Sequence, residues 1–193
     1  MFGVNNIEVQ RGKAKDALAL VNFGSRRALL ADLDGRLRMG LGFAVATMNV
    51  DHVVKLRELP AFGMTYAKQT HVLADGRPIV WMRRLSGQPV ELITGSDLIE
   101  PLMALAARQN VPVAFFGSRQ SVLDVAAERL ERRIPGLRVV TRIAPPQGFD
   151  PSGPTAEAMM AELSASGARL CLIALGAPKQ EIFAALGRAR IPE

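Results

Sequence analysis

The sequence predicts an α/β protein: a mostly parallel sheet flanked by helices, with a small N-terminal β appendage. Three observations predict it. From Gly42 onward, short β-rich runs alternate with amphipathic segments, which is the pattern of successive βα units. Gly, Pro and Asp punctuate the boundaries between those runs. With 49% hydrophobic and 22% charged residues in a length of 193, the chain can also bury a continuous core, which excludes disorder for most of it.

Residues 1–41 form the appendage. There Ala28 to Leu33 and Arg36 to Leu41 flank Asp34-Gly35, the residue pair of a tight type I′ turn, so a β-hairpin is expected. The core is expected to span residues 42–193. Gly42 to Thr47 reads as a strand, Asp51 to Leu59 as a helix, His71 to Ala74 as a short strand, Pro78 to Leu85 as a helix, and Glu91 to Ile93 as a further strand. Ser96 to Gln109 is helical. Val113 to Phe116 is a buried strand, Gly117-Ser118 a turn, and Ser121 to Arg133 a helix with Val122, Val125, Ala126, Arg129 and Leu130 at helical spacing. Arg138 to Ile143 forms the next strand, and Ala144 to Gly153 a loop. Pro154 suits the first turn of a helix that Gly167 ends, after which Leu170 to Ala174 makes another buried strand and Pro178 opens the last helix.

Composition narrows the functions. Net charge is +6, which favours an anionic partner without choosing among a nucleotide diphosphate, a nucleic acid and an acidic lipid surface. The apolar stretches Val111 to Phe116 and Leu170 to Leu175 fall far short of the roughly 20 residues that span a bilayer. Met1 to Lys13 lacks the apolar segment of a secretory signal. The single cysteine, Cys171, can form neither an internal disulfide nor a cysteine-based zinc site and reads as a structural thiol of a reducing cytoplasm. No Walker loop and no Gly-x-Gly-x-x-Gly after a strand is present. A nucleic-acid-binding domain is a weak alternative, because aromatics are 5% of residues and neither Tyr66 nor Trp81 sits in a basic run.

In a parallel α/β sheet, ligands bind beyond the carboxyl ends of the strands. Four places there stand out: Thr47-Met48-Asn49, Asp75-Gly76, Gly117-Ser118, and Gly176 to Glu181. Each leads into a helix, whose free N–H groups attract phosphate. Asp75, on a tight turn, can take a proton from a hydroxyl. Thr47 and Asn49, two apart, face one side of a strand and can bond a polar ligand, with helix capping as the alternative for Asn49. Gln180 can read a base or sugar edge, and Lys179 can sit near phosphate. Asp32-Leu33-Asp34 has Asp-x-Asp metal-site spacing but falls at the expected hairpin tip, away from the cleft, so no metal is expected. His52 and His71 read as isolated residues at a helix surface or strand edge.

Taken in order, Gly42 to His52, Ala74 to Trp81, Thr94-Gly95-Ser96-Asp97-Leu98 and Leu175 to Glu181 resemble the WecG/TagA/CpsF family of glycosyltransferases, over about residues 42–190. The resemblance implies a Rossmann-like core and an inverting, metal-independent hexosyltransferase of the exopolysaccharide type. Such an enzyme uses a UDP-sugar donor carrying a hexose or N-acetylhexosamine, a polyprenyl-diphosphate-linked acceptor, and no cofactor. It works as a peripheral protein at the cytoplasmic face of the inner membrane. By the same resemblance Asp75 matches the catalytic base, Thr47, Asn49 and Gln180 the active-site pocket, and Thr94, Gly95, Gly117 and Ser118 the nucleotide end; Gly176, at the same strand ends, is expected to bind the nucleotide and Lys179 the substrate. Relatives often carry an Arg just before the Thr-Gly turn, where this chain has Leu92, so that contact is not carried over. Relatives also continue past Ile191-Pro192-Glu193 into a basic, membrane-contacting tail, so the chain is expected to be a truncated form. A non-catalytic nucleotide-sugar binding module is the alternative.

Overall fold

A computed structural model describes residues 17–190. Its first regular element after the short turn at Ala17 is a helix, α1 (Arg26–Met39), where the sequence had suggested a hairpin. The Asp34-Gly35 turn signal is overridden because Leu29, Leu33 and Leu37 recur every four residues and are all buried in the main core. Ion pairs Arg36–Asp32 and Arg38–Asp34 at the same spacing support the exposed face. Ser25 caps the start, and Gly40, at φ 67°, ends the helix in the left-handed conformation. The part of the expected appendage within residues 1–16 lies outside the described residues.

The next elements are β1 (Val45–Met48), α2 (Val50–Glu58), α3 (Pro60–Tyr66), β2 (His71–Ala74) and α4 (Arg77–Leu85). β1 and β2 pair in parallel, Thr47 opposite Leu73. Glu91 to Ile93 is not a strand, although its chain is tied down: Glu91 N–H donates to Gly24 O at 2.8 Å and Ile93 N–H to Ala74 O at 2.9 Å. Two isolated bonds to different segments do not make a ladder.

The second half continues α5 (Gly95–Arg108), β3 (Val113–Gly117), α6 (Gln120–Arg133), β4 (Val139–Ile143), α7 (Pro154–Ala165), β5 (Leu170–Ala174) and α8 (Lys179–Arg190). β3 lies between β4 and β5, parallel to both. All five residues of β3 are buried, which explains its unbroken apolar run. On α6 the buried residues are Leu123 and Ala127, whereas Val122 and Val125 are about half exposed. The helix therefore sits rotated from the face that its valines suggested, with the larger leucine turned inward. The β1–β2 pair and the β4–β3–β5 sheet are separate ladders, and β1 faces β5 across a cavity. This arrangement puts the carboxyl ends of all five strands, and the helix starts that follow them, along one edge.

Candidate active site

At the β1–β2 end, Asn49 is the N-cap of α2: its Oδ1 accepts from His52 N–H at 3.2 Å, and His52 Nδ1 returns a contact to Asn49 N–H. The capping alternative thus describes Asn49, and its side chain is turned into its own helix. Thr47 remains open to the cavity, and a Cβ placed on Gly95 would lie 3.7 Å from Thr47 Oγ1, so those two residues abut. Thr94 caps α5 through its hydroxyl. Asp75 follows β2 directly, half-buried, its N–H donating to Met48 O at 2.8 Å. Gly76 behind it has φ 99°, a conformation that glycine enters without strain, and this lets the chain turn from Asp75 straight into α4.

Beneath this edge lies a buried polar cluster. Glu181, from the first turn of α8, is 2% exposed and brings Oε1 to 3.1 Å from His52 Nε2. The same oxygen accepts from Gln180 Nε2 at 2.7 Å, so the Gln180 amide nitrogen is held toward Glu181. Gln69, also buried, donates to Glu181 O at 3.1 Å, while Gln69 Oε1 and Glu181 Oε2 have no hydrogen-bond partner among the described residues. Tyr66 hydroxyl donates to Thr47 O at 3.1 Å. Burial, then the charges of Glu181 and Asp75, push the Tyr66 phenol well above its usual range, which keeps it a neutral donor beside two carboxylates.

Both histidines depart from the isolated, surface reading. His71 is fully buried and brings Nε2 to 2.8 Å from Asp32 of α1. Burial lowers His71 against the pull of that carboxylate, and Arg36 and then His71 hold Asp32 below the usual carboxylate range. Asp32 is therefore a packing residue of a helix, and Asp34 is held by Arg38 and by Gln109 Nε2 at 2.6 Å. Neither lies at a hairpin tip. For His52, the Asn49-to-His52 spacing of a capping box was the available signal; Glu181 stood in a segment the sequence singled out, but its buried partners, like those of Tyr66 and Gln69, are distant in sequence.

At the β3–β5 end, Gly117 has φ 109°, and a Cβ there would fall well inside 3.0 Å of the Ala174 carbonyl. Its role is to let β3 and β5 approach, with Ser118 N–H donating to Ala174 O at 3.0 Å. Ser118, Gly176 and Lys179 line an open pocket of about 400 Å³ together with Pro145, Gly148 and Phe149. Gln180, Thr47 and Gly95 line the cavity of about 430 Å³ between β1 and β5. Cys171 lines it too, its thiol pushed up to about 12 by burial, so it is not a thiolate at neutral pH. Lys55 joins the two ends, bonding Ala177 O at 3.1 Å and Asp51 of its own helix. The edge thus gathers Thr47, Gly95 and Gln180 at one cavity and Ser118, Gly176 and Lys179 at another. Asp75, Asn49 and Thr94 lie beside the first, and Gly117 lies behind the second.

Residues 19–193 match the glycosyl transferase WecG/TagA/CpsF family model. The chain belongs to that family. It is accordingly a glycosyltransferase of cell-surface polysaccharide synthesis, built on a Rossmann-like α/β core. Among the described residues, no helix is long and apolar enough to cross a membrane.

Proposed function

We propose that the protein is an inverting glycosyltransferase that moves a hexose or N-acetylhexosamine unit from a UDP-sugar to a polyprenyl-diphosphate-linked saccharide. The observation that carries this reading is the placement of Asp75 at the edge where five strands end, between the Thr47 cavity and the start of α4. In this mechanism Asp75 takes the proton of the acceptor hydroxyl as its oxygen attacks the anomeric carbon and the bond to the diphosphate oxygen breaks on the opposite face. A base in this position contributes about 10²–10⁴-fold. The departing diphosphate is met by the N–H groups at the starts of α6 and α8 and by Lys179, with no metal required. Gln180, whose amide nitrogen is engaged by Glu181, offers its carbonyl oxygen to a donor on the sugar or base. The enzyme acts as a peripheral protein at the cytoplasmic face of the inner membrane.

A non-catalytic nucleotide-sugar binding module is the second reading, favoured by Leu92, an exposed apolar residue where a cation would be expected. A donor screen that follows UDP release with a short-chain lipid-diphosphate saccharide acceptor separates the two. Turnover that falls by two orders of magnitude or more in Asp75→Asn, with UDP binding retained, supports the transferase. Full activity in a folded Asp75→Asn protein removes Asp75 from the mechanism.

A further inference from the structure

Helix α4 presents a surface that the transfer chemistry does not use. Its inward residues are Ile79, fully buried, with Val80 and Met82 packed on the same core. Arg83 is tied to the body, donating from Nη1 to Leu18 O at 3.1 Å. The outward stripe is different. Arg77, Trp81, Arg84 and Leu85, at spacings of three and four, fall on one face and are all exposed: Trp81 62% and Leu85 89%. No Asp or Glu occurs from Gly76 to Val90, and among the described residues none of Arg77, Arg83 and Arg84 is in an ion pair.

An exposed tryptophan and leucine flanked by arginines is a poor solvent face and a poor core. It has the composition of a surface that rests at the boundary between lipid headgroups and acyl chains, where an indole sits at the interface, leucine enters the apolar layer and guanidinium groups meet phosphate. We infer that the outward face of α4 docks the enzyme on an anionic bilayer, with Trp81 and Leu85 inserted and Arg77 and Arg84 on the lipid phosphates. α4 begins two residues after Asp75, so docking on this face sets the base within about two helical turns of the headgroup plane, which suits an acceptor carried on a lipid diphosphate. The inference rests on the reading that the acceptor is lipid-linked. The two remain separable, because UDP release with a water-soluble short-chain acceptor needs no bilayer.

Trp81 is the only tryptophan of the chain and so reports on its own surroundings. The full chain is mixed with vesicles of equal parts phosphatidylglycerol and phosphatidylcholine, with and without brominated acyl chains, and with pure phosphatidylcholine vesicles. The expected result is a blue shift and bromine quenching of Trp81 on the anionic vesicles alone, weakened by salt. Arg84→Glu with Leu85→Asp should lower vesicle affinity at least about tenfold. Both positions are exposed, and the wild-type spectrum tests the inference even without the variant. Three results would overturn it: no binding to anionic vesicles; sedimentation with vesicles while Trp81 stays unshifted and unquenched, which places the contact elsewhere; or a concentration-dependent blue shift without lipid, which makes the face a contact between copies of this chain.

Discussion

Replacing Gly117 with alanine tests the reading that this residue serves strand packing. The new methyl group would fall well inside 3.0 Å of the Ala174 carbonyl and 3.1 Å from Ala174 N, all backbone atoms of β5. Backbone cannot rotate away as a side chain does, so β3 and β5 must separate. Overpacking of this kind costs about 1–3 kcal/mol. A non-glycine residue held at φ 109° adds about 1–3 kcal/mol. Separation also weakens the Ser118 N–H to Ala174 O bond, now 3.0 Å, at about 1 kcal/mol. The sum, about 3–7 kcal/mol, is a large part of the roughly 5–15 kcal/mol that holds a domain folded. Urea unfolding followed by circular dichroism should show the midpoint falling by more than about 1 M, for a slope of about 1–3 kcal/mol per M. Ser118→Gly is the control. Ser118 has φ 57°, where glycine relieves strain but gives the unfolded chain more freedom, so its midpoint should move little. A Gly117→Ala protein with an unchanged midpoint and lowered UDP affinity would refute the packing argument and return Gly117 to the nucleotide site.

The remaining predictions concern charge. Glu181→Leu strips His52 and Gln180 of their shared acceptor in a buried setting and should cost about 2–5 kcal/mol in urea unfolding, while Glu181→Gln, which keeps an acceptor oxygen, should cost markedly less; equal losses would show that the bonds to Oε1 are immaterial. His71, lowered by burial from 6.5, binds its proton later in the folded than in the unfolded chain. Its contribution is therefore complete above about pH 6.5 and is lost as pH falls from there toward the lowered folded value, and His71→Gln should flatten the urea midpoint between pH 7 and 5. Asp32, also lowered, adds stability that is kept above about pH 3.8 and lost below it, checked by acid unfolding of Asp32→Asn. Transfer should survive EDTA and Asp34→Ala, because Asp34 is engaged by Arg38 and Gln109; loss of activity restored by Mg²⁺ or Mn²⁺ would overturn metal independence.

The strands were legible because each is a short apolar or β-branched run, such as His71 to Ala74, Val113 to Phe116 and Leu170 to Ala174, with Gly or Pro near its end; the third, expected to be buried, is only half-buried and ends exposed because it lines the cavity that faces β1. What misled was local chemistry overruled at a distance. Asp34-Gly35 is a turn pair in isolation, but the leucines around it repeat at four, and the core they enter was not visible from the pair itself. α3 carries Pro60 and Gly63 in seven residues and had no element expected for it; the burial of Phe62 and Tyr66 against each other is what holds it. The site divides the same way. Its rim, from Thr47 to Gln180, follows from where strands end. The Glu181 cluster beneath it depends on a contact between residues 129 positions apart, which no window of sequence contains.

That long reach has a consequence for how the protein is made. Residues 45–75 leave the ribosome with His52 and Gln69 lacking the carboxylate and carbonyl that α8 later supplies, 129 and 112 positions downstream. Until α8 docks, His52 keeps only its contacts with Asn49 and Gln69 only its bond to Thr65 O, so the first half should remain loose. Docking of α8 therefore supplies the acceptors of the buried cluster and the Gln180 side of the site in one step. A nascent chain cannot acquire a working pocket before α8 has emerged and docked.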